Sequence, residues 1–189
     1  MSIEGKVALV TGASRGIGKA TALAFASAGC DVGIGFFSKE SEAAAVVGAI
    51  EQMGRKAIAV QMNVADEQSC IAAHQKISAA LGAIDILVNN AGSLVERLRT
   101  ADLTEARWDE VFNLNVKSAF FCAKAVIPKM LEKGSGTIIN VTSIAGRNGG
   151  AMGSIHYSAA KGAMLIMTKG LAKEFASQGI HINAVSPGV

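Results

Sequence analysis

Short apolar runs rich in β-branched residues recur along the chain at Val7–Val10, Val32–Phe37, Ala57–Val60, Ile84–Val88, Thr137–Val141 and Ile180–Val185. They read as continuous rather than alternating, the pattern of strands covered on both faces, as in a parallel sheet. Between them the period changes to that of a helix. Ala43, Val46, Val47, Ile50 and Met53 form one apolar stripe against Glu42, Glu51 and Gln52. Trp108, Val111, Phe112, Ala119, Ala123, Val126 and Ile127 form a longer stripe, which Pro128 is expected to bend or end. Tyr157 to Gln178 reads as a helix closed by Gly179, the usual left-handed terminal residue. Strand and helix alternate six times, which predicts a doubly wound α/β sheet with right-handed crossovers.

Composition narrows the class. The chain has 189 residues, 50% hydrophobic and 17% charged, with a mean hydropathy of +0.37. That suits one domain able to bury a core and excludes disorder. The longest apolar stretches, such as Gly162 to Thr168, fall short of the roughly 20 residues that span a membrane, so no transmembrane helix is expected. Met1 to Lys6 lacks a basic signal region and Val7–Val10 is too short for a signal core, which points to the cytoplasm. Net charge is +3 and the pI about 8.8, but no basic run exceeds Arg55-Lys56, so nucleic acid is not expected as a partner. Cys30, Cys70 and Cys122 are odd in number and lack a C-x-x-C spacing, and read as buried thiols in a reducing compartment. No His, Cys, Asp or Glu cluster has ligand spacing, so no metal is expected.

The first strand runs directly into Thr11-Gly12-Ala13-Ser14-Arg15-Gly16-Ile17-Gly18, which opens a helix. Gly12 permits the tight turn, Gly16 lets backbone N–H groups approach a pyrophosphate, and Gly18 lets helix and strand pack closely. The helix N-terminus adds partial positive charge for the phosphates. Placement at the first strand-to-helix turn of an alternating chain makes this a dinucleotide-binding signal, and the fold a Rossmann-type domain over 1–189 with strand order 3-2-1-4-5-6.

Together with Asn89-Asn90-Ala91-Gly92, Asn115, Ser143, Tyr157-x-x-x-Lys161 and Pro187-Gly188, in that order, the glycine loop makes the whole chain resemble the single-domain short-chain dehydrogenases/reductases. Within them it looks most like the 3-oxoacyl-[acyl-carrier-protein] reductases and related sugar or polyol dehydrogenases.

The residues themselves support such chemistry. Tyr157 and Lys161, four apart on a helix, emerge about 40° apart around the axis and roughly 6 Å apart along it, so they can act on one site. Bringing a tyrosine from a pKa of about 10 towards 7 takes about 4 kcal/mol. One ammonium near 4 Å supplies about that at an effective dielectric of about 20. Ser143 ends the fifth strand at the carboxyl edge of the sheet, where its hydroxyl can donate to a substrate oxygen. Thr142 is equally capable but points to the opposite face, and the resemblance selects Ser143. A Ser/His/Asp hydrolase is disfavoured, since there is no G-x-S-x-G elbow and the histidines are His74, His156 and His181 alone. His156 borders the pocket or packs beside Tyr157.

Asn113 and Asn115 lie about 200° apart on a helix, so at most one faces the site. The resemblance implies Asn115, holding a water in a proton relay to Lys161. It also implies cofactor contacts from Ser14, Arg15, Ile17 and Pro187-Gly188. Asn90-Ala91-Gly92 lets the adenosine ribose lie close. Asn63-Val64 stands where the family usually has an aspartate on the adenine, keeping an amide but losing the charge. After the second strand, Ser38-Lys39 bring no carboxylate before Glu40, and Arg15 projects from the glycine loop. A ribose 2′-phosphate would meet a hydroxyl and two cations, so NADP(H) is expected over NAD(H).

The expected activity is reversible hydride transfer between NADP(H) and a small-molecule carbonyl or secondary alcohol, by a homodimer or homotetramer. Tyr157 is the acid/base, lowered by Lys161, with Ser143 orienting the substrate oxygen and Asn115 supporting the relay. The alternative is a cofactor-binding but catalytically silent protein. Asn183 to Val189 leave a strand and enter a loop, so the native polypeptide is expected to continue into a substrate-covering segment and a seventh strand.

Overall fold

The computed structural model describes residues 2–188. Six parallel strands form one sheet: β1 (Val7–Thr11), β2 (Asp31–Phe36), β3 (Ala57–Gln61), β4 (Ile86–Asn89), β5 (Gly136–Val141) and β6 (Ile180–Val185). Their order is β3-β2-β1-β4-β5-β6, as the alternation predicts. Helices α1 (Gly16–Ser27), α2 (Glu40–Gln52), α3 (Glu67–Leu81), α4 (Glu105–Phe112), α5 (Ser118–Lys133), α6 (Ala145–Asn148) and α7 (Ile155–Phe175) connect them. Winding runs outward from β1 through β2 to β3, then returns to β4 on the other side of β1. The loops leaving β1 and β4 therefore diverge and open a crevice at the carboxyl edge.

Both faces of the sheet are covered, which is why the strand sequences are continuously apolar. Ala8, Val10, Val32 and Ile34 pack on one face against Ala22 and Ala26 of α1 and Val46 and Ile50 of α2. Leu9, Leu87, Ile138 and Ile180 pack on the other against Ile77 of α3, Val126 and Met130 of α5, and Leu171 of α7. Each fully buried Leu or Ile side chain is worth roughly 1.5–3 kcal/mol relative to exposure.

Four local expectations are corrected. Pro128 does not end its helix: α5 continues to Lys133, where Gly134 closes it with φ +66°. Proline removes one helical hydrogen bond, and the buried neighbours Val126, Ile127 and Met130 carry the helix through the gap. Met53 leaves the apolar stripe, half exposed at the end of α2 beyond its last buried residue, Ile50. β6 alternates, because Ile180 and Ile182 face the core beneath α7 while His181 and Asn183 lie exposed on the opposite face. The fourth strand begins at Ile86 rather than Ile84, since Asp85 is occupied in accepting the Val7 N–H at 3.0 Å and in pairing with Lys133.

The three cysteines are free and buried, as read. Although remote in sequence, Cys122 of α5 donates to Cys70 of α3 across an Sγ–Sγ distance of 3.5 Å. That bond, and burial after it, push the Cys122 thiol above its usual range.

Candidate active site

The crevice forms a groove in two connected halves that share Gly12, Arg15, Asn90 and Gly92. One half, about 720 Å³, lies over β1, β2 and β3, and the other, about 400 Å³, over β1, β4 and β5. Ser14, Ser38, Asn63, Val64 and Ala91 line the first. Ile17, Gly18, Ser143, Tyr157, Lys161, Pro187 and Gly188 line the second. Gly16 begins α1 at φ +56° and Asn115 lies behind the walls, so neither lines the groove.

The glycine loop is shaped for close approach. A Cβ on Gly18 would stand 2.4 Å from the Gly12 carbonyl oxygen and 2.5 Å from Asn90 Nδ2. The helix behind it starts without a side-chain cap, unlike α3 and α4. Asp66 caps α3 by accepting the Ser69 N–H at 2.8 Å, and Thr104 caps α4 by accepting the Arg107 N–H at 3.3 Å. Helix α1 has no side-chain cap and no acidic residue in its first turn. Its N-terminus thus keeps its affinity for an anion in the groove.

Asn90 does more than stay small. Its Nδ2 donates to the carbonyls of Thr11 (2.8 Å) and Gly12 (3.1 Å). Thr11 answers by accepting the N–H groups of Asn90 (3.1 Å) and Ala91 (3.0 Å) on Oγ1. These bonds clamp the β1 loop to the β4 loop at the point where the crevice opens. Sequence reading names Asn90 but passes over Thr11 as a site residue. Its signal was a hydroxyl ending an otherwise apolar strand.

At the other half, Ser143 stands two residues past the end of β5, half-buried, with Oγ accepting the Ala145 N–H at 3.1 Å. Its hydroxyl proton therefore remains available to an acceptor in the groove. Thr142 is buried and committed elsewhere, donating to the Val185 carbonyl at 2.8 Å and lying 2.7 Å from Ser186 Oγ. The Ile144 N–H donates to the Pro187 carbonyl at 3.0 Å, which stitches the Pro187-Gly188 loop to the serine.

Tyr157 and Lys161 emerge from α7 into this same half. Lys161 is 3% exposed, and its Nζ donates to the Val141 carbonyl at 2.9 Å and lies 5.6 Å from the centroid of the Tyr157 ring. Burial lowers its pKa from 10.5 to about 8, so the ammonium still predominates at neutral pH. His156 packs rather than lining the groove: it is fully buried, with Nε2 3.1 Å from the Glu96 carbonyl.

Asn115 is where sequence geometry fails. The helix between β4 and β5 is interrupted by a π-helical turn, Asn113–Lys117, so the 100° spacing does not hold there. Asn115 is fully buried, its Nδ2 donating to the Ser93 and Val111 carbonyls, both at 2.8 Å. Its Oδ1 has no partner. A Cβ on Gly92 would lie 2.5 Å from that oxygen and 3.1 Å from Lys161 Nζ, so glycine leaves open the space between them. Asn113 is half-buried and lines the first half of the groove instead.

Chemically, the groove offers an anion-attracting helix end and a glycine cradle in its middle. At one end it adds a hydroxyl, a phenol and an ammonium. These fit a nicotinamide dinucleotide followed by a carbonyl or alcohol.

The comparisons agree with this chemistry. Residues 6–189 match the family model described as short chain dehydrogenase. A 3-oxoacyl-[acyl-carrier-protein] reductase of Synechocystis is 45% identical over 99% of this chain and 75% of its own length. The Staphylococcus aureus reductase of the same name, FabG, is 41% identical over 97% and 74%. Nodulation protein G of Azospirillum brasilense is 43% identical over the same shares. A solved Sinorhizobium meliloti protein, provisionally assigned as a short-chain alcohol dehydrogenase, superposes with a TM-score of 0.93 at 39% identity, over 98% of this chain and 72% of that one.

Proposed function

The chain belongs to the short-chain dehydrogenase family and is an oxidoreductase of it, and we propose that it interconverts a carbonyl and a secondary alcohol with NADP(H), a 3-oxoacyl thioester being the favoured substrate class. The observation that carries the reading is the convergence of Ser143, Tyr157 and Lys161 on one end of a groove whose middle is the glycine loop. The substrate class rests on the names of the relatives.

When bound, the cofactor supplies or accepts the hydride at its nicotinamide. Gly12, Ser14, Ile17 and Gly18 would hold its pyrophosphate, with Gly16 shaping the turn into α1, while Asn63, Val64, Asn90, Ala91 and Gly92 would hold its adenosine and Pro187-Gly188 its nicotinamide side. Ser143 donates a hydrogen bond to the substrate oxygen and steadies the negative charge that develops there. Tyr157 gives that oxygen its proton in reduction and removes it in oxidation. Lys161 sets a positive charge beside the phenol, its Nζ 5.6 Å from the ring centroid, and has a further N–H to offer a ribose hydroxyl. The unpartnered Asn115 Oδ1, facing Lys161 across Gly92, is placed to hold a water through which the lysine is reprotonated.

Cofactor choice follows from charge. On the glycine-loop side the groove presents Arg15, Ser38 and Lys39, and its carboxylates, Asp109 and Glu110, come from α4 on the far wall. Glu110 is paired with Arg107 at 2.7 Å. Exposed Phe120 of α5 and Ile166 of α7 supply apolar surface for a homodimer or homotetramer.

The test is to mix the protein with NADPH and a 3-oxoacyl thioester, then with simple ketones and oxidised sugars, following loss of reduced-nicotinamide absorbance. Turnover of the thioester above the others supports the reading. Binding of NADPH without turnover of any carbonyl overturns it in favour of a silent binding protein.

A further inference from the structure

We propose that Asn140 and Thr168 are positioning residues that fix the register of α7 on the sheet, and with it the place of Tyr157, an assignment that rests on the reading of Tyr157 as the acid/base. A buried chain of polar side chains carries it. Asn89 of β4 and Asn140 of β5 lie opposite each other in the ladder. Asn89 Nδ2 donates to the Ala119 carbonyl of α5 at 3.2 Å and to Asn140 Oδ1 at 2.9 Å. Asn140 Nδ2 donates to Thr168 Oγ1 at 2.8 Å, and Thr168 donates in turn to the Met164 carbonyl at 2.7 Å. The chain thus runs from α5 through two strands to α7, and none of its three side chains is more than 5% exposed.

The layer around it is apolar. Leu87 and Ile138, two residues earlier on the same strands and so on the same face, are fully buried in the core. Aliphatic side chains at 89 and 140 would fill this layer at less cost, since Asn89 Oδ1 is buried without a partner. Apolar packing, however, has no direction, and a helix seated on it alone has no fixed register. Hydrogen bonds within such a layer supply one, because leaving them unmade is costly there.

What the register serves lies further along the same helix. Lys161, Met164 and Thr168 follow at helical spacing on one buried face of α7. Lys161 Nζ donates to the Val141 carbonyl at 2.9 Å, one residue beyond Asn140, and lies 3.6 Å from Met164 Sδ. Adjacent residues of β5 therefore hold α7 at two points about two turns apart. Ser143 follows β5 while Tyr157 belongs to α7, and the two must meet on one substrate oxygen. The seating of α7 on β5 sets the distance between them, and a misplacement of about 1 Å can cost about a hundredfold in rate. Asn140 and Thr168 line neither half of the groove, so they act through the helix and touch no reacting atom.

The experiment measures kcat, the KM for the carbonyl substrate, the Kd for NADPH and the denaturant midpoint in wild type, Thr168→Val, Thr168→Ser, Asn140→Leu and Leu171→Ala. Thr168→Val keeps the shape of the side chain and cuts the tie. Its kcat should fall about tenfold or more, with KM and Kd close to wild type, because a displaced Tyr157 weakens the transition state and leaves ground-state binding intact. Asn140→Leu should show the same split. Thr168→Ser keeps the hydroxyl and should turn over like wild type. Leu171→Ala loosens α7 from the core without touching the polar chain, and should lower the midpoint while leaving kcat as it was. A smaller fall in Thr168→Val, a fall shared by Thr168→Ser, or one matched by Leu171→Ala at equal loss of stability would overturn the assignment and leave the chain a packing feature. These three variants decide the case even where Asn140→Leu fails to fold. A wild-type protein without turnover would instead overturn the reading of Tyr157 on which the assignment rests.

Discussion

Lys161 carries a cost to the fold that its proposed role would explain. Its ammonium is almost wholly enclosed, and burial brings its pKa from 10.5 in the unfolded chain to about 8. Between those values the unfolded chain binds more protons than the folded one, so this residue makes stability rise as pH climbs from about 8 to 10.5. Below pH 8 the fold carries the full handicap of a buried charge, and above 10.5 none. The span is worth about 3 kcal/mol at 1.36 per unit. In Lys161→Met the contribution is absent. Chemical denaturation across this pH range should show wild-type stability gaining about 3 kcal/mol on the variant. Parallel curves would show that the lysine is solvated or compensated. In the proposed mechanism the handicap keeps an ammonium beside the Tyr157 ring.

At the scale of elements, the loops leaving β1 and β4 act as one piece. Thr11 Oγ1 accepts two backbone N–H groups of the β4 loop, and Asn90 returns two bonds to the β1 loop. Thr11→Val keeps the shape and strands the Ala91 N–H. The expected loss is about 1–3 kcal/mol of stability, read from the denaturant midpoint, together with weaker NADPH binding. Lost stability with unchanged cofactor affinity would confine the clamp to a structural role.

What could be read from sequence follows the same division. The Tyr157-x-x-x-Lys161 pair was legible because spacing on a regular helix fixes a face without reference to anything else. The strand order was legible because continuous apolar runs alternating with helices leave few topologies. For Asn115 the regular-helix geometry did not apply, since nothing local announced the π-helical turn. Pro128 does not end its helix because its helical cost is outweighed by packing that only the tertiary structure supplies. The Cys70 and Cys122 contact, and the role of Thr11, are bonds between segments 52 and about 80 residues apart, invisible to any local pattern.

On the scale of the whole molecule, the groove is asymmetric in charge. In its larger half, Arg15 and Lys39 come from the loops after β1 and β2, and Asp109 and Glu110 from α4. A 2′-phosphate on the β2 side meets attraction, so kcat/KM with NADPH should exceed that with NADH. Arg15→Ala should lower the NADPH value about tenfold, equivalent to about 1.4 kcal/mol and within the range of one charge-assisted hydrogen bond, while NADH changes little. Equal or better use of NADH by wild type would contradict the assignment.

In the proposed reaction Tyr157 moves the proton, in a groove otherwise shaped to bind the dinucleotide. Steady-state and binding measurements on Tyr157→Phe test it most directly. General acid–base groups contribute about 10²–10⁴ in rate, so kcat should fall by at least about a hundredfold, while the Kd for NADPH stays within a few-fold because the ring still packs over Lys161. A variant that kept more than about a tenth of wild-type kcat would contradict the account, since losing a working acid–base group costs more than that.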